Sequence, residues 1–263
     1  MVIFDSHCHL DSEAFDADRA QVLERCRASG IRHFLVPGVA RAGWDRLLTL
    51  CDRETGLYPA LGLHPVFIEQ HAPAHLDALQ GCLAGHKVYA IGEIGLDFYI
   101  DNPDRARQRD FFVAQLEIAR AANLPVILHI RKAHDEVLAL LRKHPVPGGF
   151  AHAFNGSLQQ ARQFIDLGFR LGFGGTLTYP GSHRIHALAK ALPPEAMVLE
   201  TDAPDMAVAA HRGERNSPEY ILDCLQALAA LRGEEPERLA EQTTANVFAV
   251  LGHGVDQEGA GHA

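Results

Sequence analysis

The sequence lacks several features that mark other classes of protein. Its 263 residues include five cysteines, none of them in a C-x-x-C pair. Scattered cysteines in an odd number are typical of reduced thiols, so we expect a cytoplasmic protein without a disulfide framework. The first residues do not have the basic start and long apolar run of a secretory leader. No stretch approaches the roughly 18 apolar residues of a membrane span, so no membrane partner is predicted.

The chain also lacks an excess of positive charge. Lys and Arg number 24 against 33 Asp and Glu, which gives a formal net charge of −9. A protein that binds duplex DNA by releasing counterions is usually basic, so strong nonspecific duplex affinity is not expected. Acidity does not exclude a nucleic-acid substrate, because carboxylates can be metal ligands and a bound cation reverses the local field.

The chain does contain a regular alternation of strand-like and helix-like segments. Runs such as Val126-Ile127-Leu128 lack polar alternation, as expected for parallel strands that are covered on both faces. Eight runs predict strands over 2–6, 31–36, 58–63, 88–93, 125–130, 149–152, 169–173 and 198–201. Apolar residues at spacings of three and four predict helices over 20–29, 44–53, 74–84, 105–122, 133–143, 158–167, 184–192 and 218–231.

Eight strand–helix units predict an α/β fold, a closed (β/α)8 TIM barrel. The alternative is an open doubly wound sheet. No G-x-G-x-x-G follows the first strand and no P-loop is present, which weakens the nucleotide-binding version of that alternative. An extra helix is predicted over 236–251. We expect a single TIM-barrel domain over 1–251 and a disordered, Gly-rich polar tail over 252–263.

Potential metal ligands follow the predicted strands, where barrels of this kind place their reactive groups. His7 and His9 stand one residue apart on an extended segment, so both imidazoles point to one side and can hold the same cation. Cys8 between them points away and is interpreted as a packing residue. Later strands end near four more potential ligands: Glu93, His129, His152 and Asp202.

Taken singly, these residues have ordinary structural explanations. A lone histidine such as His64 is more often structural, and an Asp after a strand, such as Asp202, is often a helix cap. Glu93 lies between two glycines within an apolar run, where a buried carboxylate without a cation is costly. The residues together therefore favour a metal site.

The ligand types narrow the choice of metal. Four imidazoles and two carboxylates without a thiolate pair suit Zn, Mn, Fe, Co or Ni, and suit Mg less well. Six ligands exceed the four of one tetrahedral zinc. Two divalent cations about 3.5–4 Å apart that share a bridging carboxylate would use all six. Glu93 is the best candidate for that bridge.

Six ordered motifs run through the chain from residue 3 to about residue 250. They are Phe4-Asp5-Ser6-His7-Cys8-His9-Leu10, Gly62-Leu63-His64-Pro65, Gly92-Glu93-Ile94-Gly95-Leu96-Asp97, 126–131, His152-Ala153-Phe154-Asn155-Gly156 and Glu200-Thr201-Asp202-Ala203-Pro204. Together they resemble the motifs of TatD-family metal-dependent hydrolases, which are amidohydrolase-like TIM barrels. The resemblance implies that His7, His9 and Glu93 hold one cation and that Glu93, His129 and His152 hold the other.

Members of this family are described as metal-dependent deoxyribonucleases, several of which act from the 3′ end of single strands. The resemblance therefore implies that DNA is the substrate and that a water activated by two divalent cations cleaves its phosphodiester bonds. Asp202 is implied to be a further ligand and the general base, and His64 and Arg131 are implied to contact the substrate phosphate. No obligate protein partner is indicated.

Two other functions stay open. An amidohydrolase-like enzyme would cleave a C–N or C–O bond in a small molecule. Many such barrels carry a carboxylated lysine after the fourth strand, and Glu93 takes that place here, which favours the phosphodiesterase by analogy. A non-catalytic metal-binding module would need closed coordination without a position for water.

A nucleic-acid enzyme is expected to carry a basic and aromatic rim around its site. Each residue that could form such a rim can equally be an ordinary loop residue. The basic candidates are Arg131, Lys132, Arg184 and Arg212, and the aromatic candidates are Phe98, Tyr99, Phe154 and Tyr179.

Overall fold

A computed structural model describes residues 1–252, over which the chain forms eight β-strands and nine α-helices. The strands are β1 (Ile3–Asp5), β2 (Ile31–Pro37), β3 (Leu57–Leu61), β4 (Ala90–Asp97), β5 (Val126–Arg131), β6 (Gly149–Ala151), β7 (Phe169–Phe173) and β8 (Met197–Leu199). The helices are α1 (Arg19–Ala28), α2 (Trp44–Arg53), α3 (Pro73–Gly85), α4 (Arg105–Ala122), α5 (His134–Lys143), α6 (Leu158–Asp166), α7 (His183–Ala191), α8 (Ile221–Arg232) and α9 (Pro236–Leu251). Apart from Gly252, the predicted tail 252–263 lies outside the described residues.

The strands are parallel and lie in chain order from β1 to β8. The first and last strands meet where the Ser6 amide donates to the Leu199 carbonyl at 3.0 Å. Just beyond the strands, the Asp202 amide donates to the His7 carbonyl at 2.9 Å. These contacts bring the two edges of the sheet together, so the predicted (β/α)8 barrel is confirmed.

Helix α4 shows how the sequence builds the outer layer. Its apolar residues recur at helical spacing, and Phe112, Leu116 and Ala119 are all buried against the barrel. Burial of a side chain such as Leu or Phe contributes about 1.5–3 kcal/mol. The helix begins where the Asp104 carboxylate accepts the Arg107 amide at 3.0 Å and ends at Asn123 in the left-handed conformation.

The predicted extra helix, α9, covers the amino-terminal end of the barrel. Val247 packs with the ring of Phe4 inside the barrel, and the ring centroids of Phe248 and Phe4 lie 5.3 Å apart. The Thr244 hydroxyl accepts the Phe4 amide at 3.1 Å and donates to the Val2 carbonyl at 3.2 Å. Because α9 closes this end, the carboxyl ends of the strands form the open face.

Among the eight strands only β7 has its predicted bounds, and the differences at the ends of β4 and β8 concern the open face. Strand β4 runs to Asp97, past the predicted end at Glu93, because Ile94 and Leu96 continue its buried apolar side. Gly95 has φ 148°, and a Cβ there would lie 2.0 Å from the His129 carbonyl oxygen, so only glycine allows β4 and β5 to approach at this level. Strand β8 ends at Leu199, before the predicted residue 201.

Among the helices of residues 1–252, none combines the length and apolar character that a bilayer crossing requires.

Candidate metal centre

The open end of the barrel gathers the predicted site residues around one cavity of about 750 Å³. His7 is fully buried beneath this central cavity, and Arg131 lines its wall. The other predicted residues line the cavity from the ends of β1, β3, β4, β5, β6 and β8: His9, His64, Glu93, His129, His152 and Asp202. The structure therefore brings together side chains that lie almost 200 residues apart in the chain.

One side of the site contains the histidine pair of β1. The Nε2 atoms of His7 and His9 lie 3.2 Å apart, and each lies 3.5 Å from Asp202 Oδ1. Glu93 Oε2 lies 3.2 Å from His7 Nε2 and 3.7 Å from His9 Nε2. Of these four side chains, His7, His9 and Asp202 form a compact group whose ligand atoms all lie within 4.8 Å of one another, and Glu93 lies beside this group.

The other oxygen of Glu93 faces the opposite side of the cavity. Its Oε1 lies 3.1 Å from His129 Nδ1 and 3.3 Å from His64 Nε2. A carboxylate that presents one oxygen to each of two imidazole groups has the geometry of a bridge between two cations.

His152 lies closer to His7 than the predicted ligand sets assume. Its ring stacks on that of His7 with centroids 3.7 Å apart, and its Nε2 lies 3.7 Å from Asp202 Oδ2. Within residues 1–252 the compact ligand groups place His152 with His7 and Glu93, and place His129 with Glu93 and His64. The division of ligands between two cations therefore stays a prediction.

Each histidine ring has one nitrogen that faces the cavity and one that points away from it. The hydrogen-bond partner of the nitrogen that points away determines which of the two carries the hydrogen. His9 Nδ1 lies 3.2 Å from the Pro37 carbonyl oxygen, which only accepts, so this nitrogen carries the hydrogen. His129 Nε2 lies 3.0 Å from Asp97 Oδ2, and His152 Nδ1 lies 3.0 Å from Glu200 Oε1. The rings of His9 and His129 therefore place one N–H away from the cavity and turn the other nitrogen towards it, as a metal ligand must. Nearby carboxylates outweigh burial and raise the pKa of His9 to about 9 and that of His152 to about 10, so a cation that binds these nitrogens displaces protons.

His64 has the opposite arrangement. The Val66 amide donates to His64 Nδ1 at 3.1 Å, so the neutral ring carries its hydrogen on Nε2, which faces Glu93. Burial lowers the pKa of His64 to about 4, which keeps the ring neutral. His64 is therefore placed as a hydrogen-bond donor to an oxygen, and its contact with a substrate phosphate stays a prediction.

Three buried carboxylates that support the site were not assigned by the sequence reasoning. Asp97 and Glu200 orient His129 and His152. Asp5 accepts the His7 amide at 3.2 Å, the Thr201 amide at 3.0 Å and the Thr201 hydroxyl at 2.6 Å, which ties the loop after β1 to the loop after β8.

A period of two residues in the sequence could have indicated the first two carboxylates. Side chains at i, i+2 and i+4 share one face of an extended segment. Asp97 lies four residues after Glu93, and Glu200 lies two residues before Asp202. Each therefore follows the spacing of a predicted ligand.

The donors and charges of the site fit a divalent cation. His129 lies between the carboxylates of Asp97 and Glu93, which outweigh burial and raise its pKa, so a positive charge is favoured at this place and a divalent cation would supply it. Burial by itself would raise the pKa of Glu93, but the nearby His64 and His7 outweigh it and hold the pKa well below its usual range. A deprotonated carboxylate with unprotonated imidazoles is the state that binds metal.

The predicted rim is only partly present. Arg131 is exposed and stacks on Tyr99, with its guanidinium carbon 4.0 Å from the ring centroid. Phe154 is buried, and its ring packs against Phe164 with centroids 5.8 Å apart. The prediction that Phe154 is available for base stacking is therefore wrong. Arg212 is exposed but lies outside the residues that line the central cavity.

Comparison with known proteins agrees with this geometry. The family model described as TatD related DNase matches residues 4–252. The uncharacterized metal-dependent hydrolase YjjV of Escherichia coli K12 is 39% identical over 250 residues, which cover 94% of this chain and 96% of YjjV. The protein named 3'-5' ssDNA/RNA exonuclease TatD of Klebsiella pneumoniae is 33% identical over 257 residues, which cover 95% of this chain and 98% of that protein.

The crystal structure of E. coli YjjV superposes with a TM-score of 0.91 at 38% identity, and the match covers 94% of this chain and 97% of YjjV. The chain belongs to the TatD family and is a metal-dependent hydrolase of the TatD type.

Proposed function

We propose that this protein is a metal-dependent deoxyribonuclease that hydrolyses phosphodiester bonds from the 3′ ends of single-stranded DNA. The observation that carries the proposal is the placement of Glu93, whose two oxygens face imidazole nitrogens on opposite sides of one open cavity. The name of the K. pneumoniae relative supports a single-stranded nucleic acid as the substrate.

The proposed ligands are the buried side chains around Glu93. They would hold two divalent cations from among Zn, Mn, Mg, Co and Ni. When bound, the cations supply Lewis acidity, which lowers the pKa of a water from about 16 towards about 7 and stabilises charge on phosphoryl oxygens. The proposed set is His7, His9, Glu93, His129, His152 and Asp202.

Asp202 is the proposed general base as well as a ligand. Its side chain is 14% exposed, whereas that of Glu93 is 3% exposed, so Asp202 is the carboxylate that an attacking water can reach. Burial alone would raise the pKa of Asp202, but His152 and His9 lower it below its usual value, so the carboxylate is ionised. An ionised carboxylate could take a proton from a water that a bound cation has made more acidic. The Asp202 backbone is fixed by the hydrogen bond to the His7 carbonyl.

His64 and Arg131 are the proposed contacts to the substrate phosphate. The Nε2–H of His64 faces the cavity next to Glu93, where it can donate to a phosphoryl oxygen. The guanidinium of Arg131 lies at the cavity wall and can donate two parallel hydrogen bonds to the same group. Both donors stabilise charge that grows on phosphorus-bound oxygens in the transition state.

The test combines element analysis of the purified protein with a cleavage assay. Single-stranded DNA and RNA of one sequence, labelled at either end, are incubated with each divalent metal and with EDTA. Glu93→Gln and Asp202→Asn are expected to lose at least about a hundredfold in metal-dependent cleavage. Asp52→Asn on the exposed surface of α2 is the matched control and is expected to keep full activity.

Two results would contradict the proposal. One is near-wild-type, metal-dependent cleavage by Glu93→Gln or Asp202→Asn. The other is the absence of cleavage of any oligonucleotide together with metal-dependent turnover in a panel of amides and esters, which would instead support the amidohydrolase-like reaction.

A further inference from the structure

A second depression opens beside the central cavity. It has a volume of about 450 Å³ and is called the side cleft here. Arg131 and Asn155 line both the side cleft and the central cavity, so the two spaces are contiguous. The side cleft is lined by Tyr99, Arg131, Lys132, His134, Asn155, Gly156, Ser157, Gln160 and Arg184.

The side cleft is positively charged in a protein whose net charge is −9. Arg131, Lys132 and Arg184 line it, and within residues 1–252 no Asp or Glu does. Burial, and to a smaller extent the charge of Arg184, lower the pKa of His134, so this ring adds no charge at neutral pH. Asp135 is exposed and lines an adjoining depression together with Lys132, His134 and Gln160, and it accepts a hydrogen bond from the Gln160 side-chain amide at 2.7 Å. Its charge opposes the effect of burial on the pKa of His134. A concentration of cations like this attracts an anion.

An exposed aromatic ring stands at the edge of the side cleft. Tyr99 is 58% exposed. Burial of an aromatic ring normally stabilises a protein, so a tyrosine that stays exposed forgoes this contribution. Arg131 covers one face of the ring at 4.0 Å and leaves much of the remainder open. Cations that follow a backbone together with aromatic rings that stack on bases are the common features of single-strand binding.

The start of helix α6 does not explain the cleft. Its first turn is already satisfied, because the Ser157 amide donates to the Gln160 side chain at 2.8 Å and the Gln160 amide donates to the Ser157 hydroxyl at 3.1 Å. Recognition in the side cleft therefore comes from the side chains of its cations and of Tyr99.

We propose that the side cleft binds the nucleotide next to the one whose phosphodiester bond occupies the central cavity. Lys132 and Arg184 hold its phosphate and Tyr99 stacks on its base. The preferred substrate is then a single-stranded chain with at least two successive phosphates rather than an isolated phosphodiester. This inference rests on the proposed function of the central cavity.

The test uses the double variant Lys132→Ala/Arg184→Ala in the full chain. Binding of a fluorescein-labelled oligothymidylate of about ten nucleotides is followed by anisotropy at several salt concentrations, in an Asp202→Asn background that prevents cleavage. The dissociation constant is expected to rise about tenfold or more. The slope of log K against log salt is expected to shrink by about 0.7, since Lys132 and Arg184 hold one phosphate and each lost phosphate contact removes about 0.7 for a single strand.

Kinetics with the Asp202-intact enzyme give a second readout. The loss of kcat/KM is expected to be at least about fivefold larger for the oligothymidylate than for bis(para-nitrophenyl) phosphate, which has no second phosphate. Arg53→Ala/Arg238→Ala removes two exposed arginines from α2 and α9 and is the matched control. Lys132→Arg/Arg184→Lys is expected to restore binding because both charges are kept.

The outcomes separate the inference from the proposed function. An unchanged dissociation constant and salt slope in the double variant, or a parent protein that does not bind the oligothymidylate, overturns the inference. A parent protein that binds the oligothymidylate through Lys132 and Arg184 but cleaves neither substrate supports the inference and contradicts the proposed function.

Discussion

Replacing Asp97 by asparagine should weaken metal binding through His129, although Asp97 is not itself a proposed ligand. Asp97 Oδ1 accepts the Tyr99 amide at 2.8 Å and the Ile100 amide at 3.3 Å, while Oδ2 lies 3.0 Å from His129 Nε2. An asparagine keeps the two backbone contacts only if its oxygen takes the place of Oδ1. Its NH2 group must then face His129 Nε2, and two donors cannot share one contact.

The conflict is relieved when His129 changes tautomer. Its hydrogen moves to Nδ1, which faces Glu93 and the proposed cation, so His129 is lost as a ligand. Loss of a group that orients a metal ligand costs about 10–100-fold in affinity, which corresponds to about 1.4–2.7 kcal/mol. The backbone of Asp97 stays fixed, because its amide and carbonyl bond the side chain of Gln108 at 2.9 and 3.0 Å.

Competition titration with a chromophoric chelator measures the Mn and Zn affinities of Asp97→Asn. Asp104→Asn is the matched control, since an amide oxygen can still accept the Arg107 amide at the start of α4. In a double-mutant cycle, the effect of Asp97→Asn is expected to disappear when His129 is already alanine. Wild-type affinity in Asp97→Asn, or an equal loss in the His129→Ala background, would refute this reasoning.

Two further predictions concern stability. Chelation of the metal is expected to lower the melting temperature. A divalent cation added back at about 100 times its dissociation constant is expected to restore about 2.7 kcal/mol of unfolding free energy, measured by calorimetry. A melting temperature that neither treatment changes contradicts the metal site. Burial lowers the pKa of His33 from 6.5 to about 4, so the unfolded chain binds this proton first and stability falls as the pH drops from 6.5 towards 4. In urea titrations, His33→Gln is expected to reduce the loss of unfolding free energy between pH 6.5 and pH 4 by about 1 kcal/mol, a figure that allows for the partial exposure of His33. The control His86→Gln changes an exposed histidine and is expected to keep the full loss.

The barrel could be predicted because its strands appear in the sequence as continuous runs of apolar residues. Val126-Ile127-Leu128 reads as a covered parallel strand and forms the start of β5. The end of β4 was harder, since a charged residue usually ends an apolar run. Glu93 lies inside the strand because the carboxylate faces histidines across the barrel, a contact between distant residues that local sequence does not record.

The site was predictable at its centre and less so at its periphery. His7 and His9 are recognisable from their spacing alone. The spacing of Glu200 to Asp202 could have indicated that both share one face, but the contact of Glu200 with His152 is created only by the closed barrel. In the sequence Phe154 resembles an aromatic residue of an exposed loop, but its ring packs against that of Phe164 in the core. Roles that depend on a second residue from another strand require the three-dimensional structure.

The position of α9 has a practical consequence for attaching this protein to a support. The helix crosses the barrel at the end opposite the central cavity, and Gly252 follows directly after it. A biosensor linker joined directly after Gly252 therefore begins on the far side of the barrel from the reactive histidines. Immobilisation through that position leaves the cavity turned towards the sample, whereas a linker in the loop after β5 would be adjacent to the cavity wall.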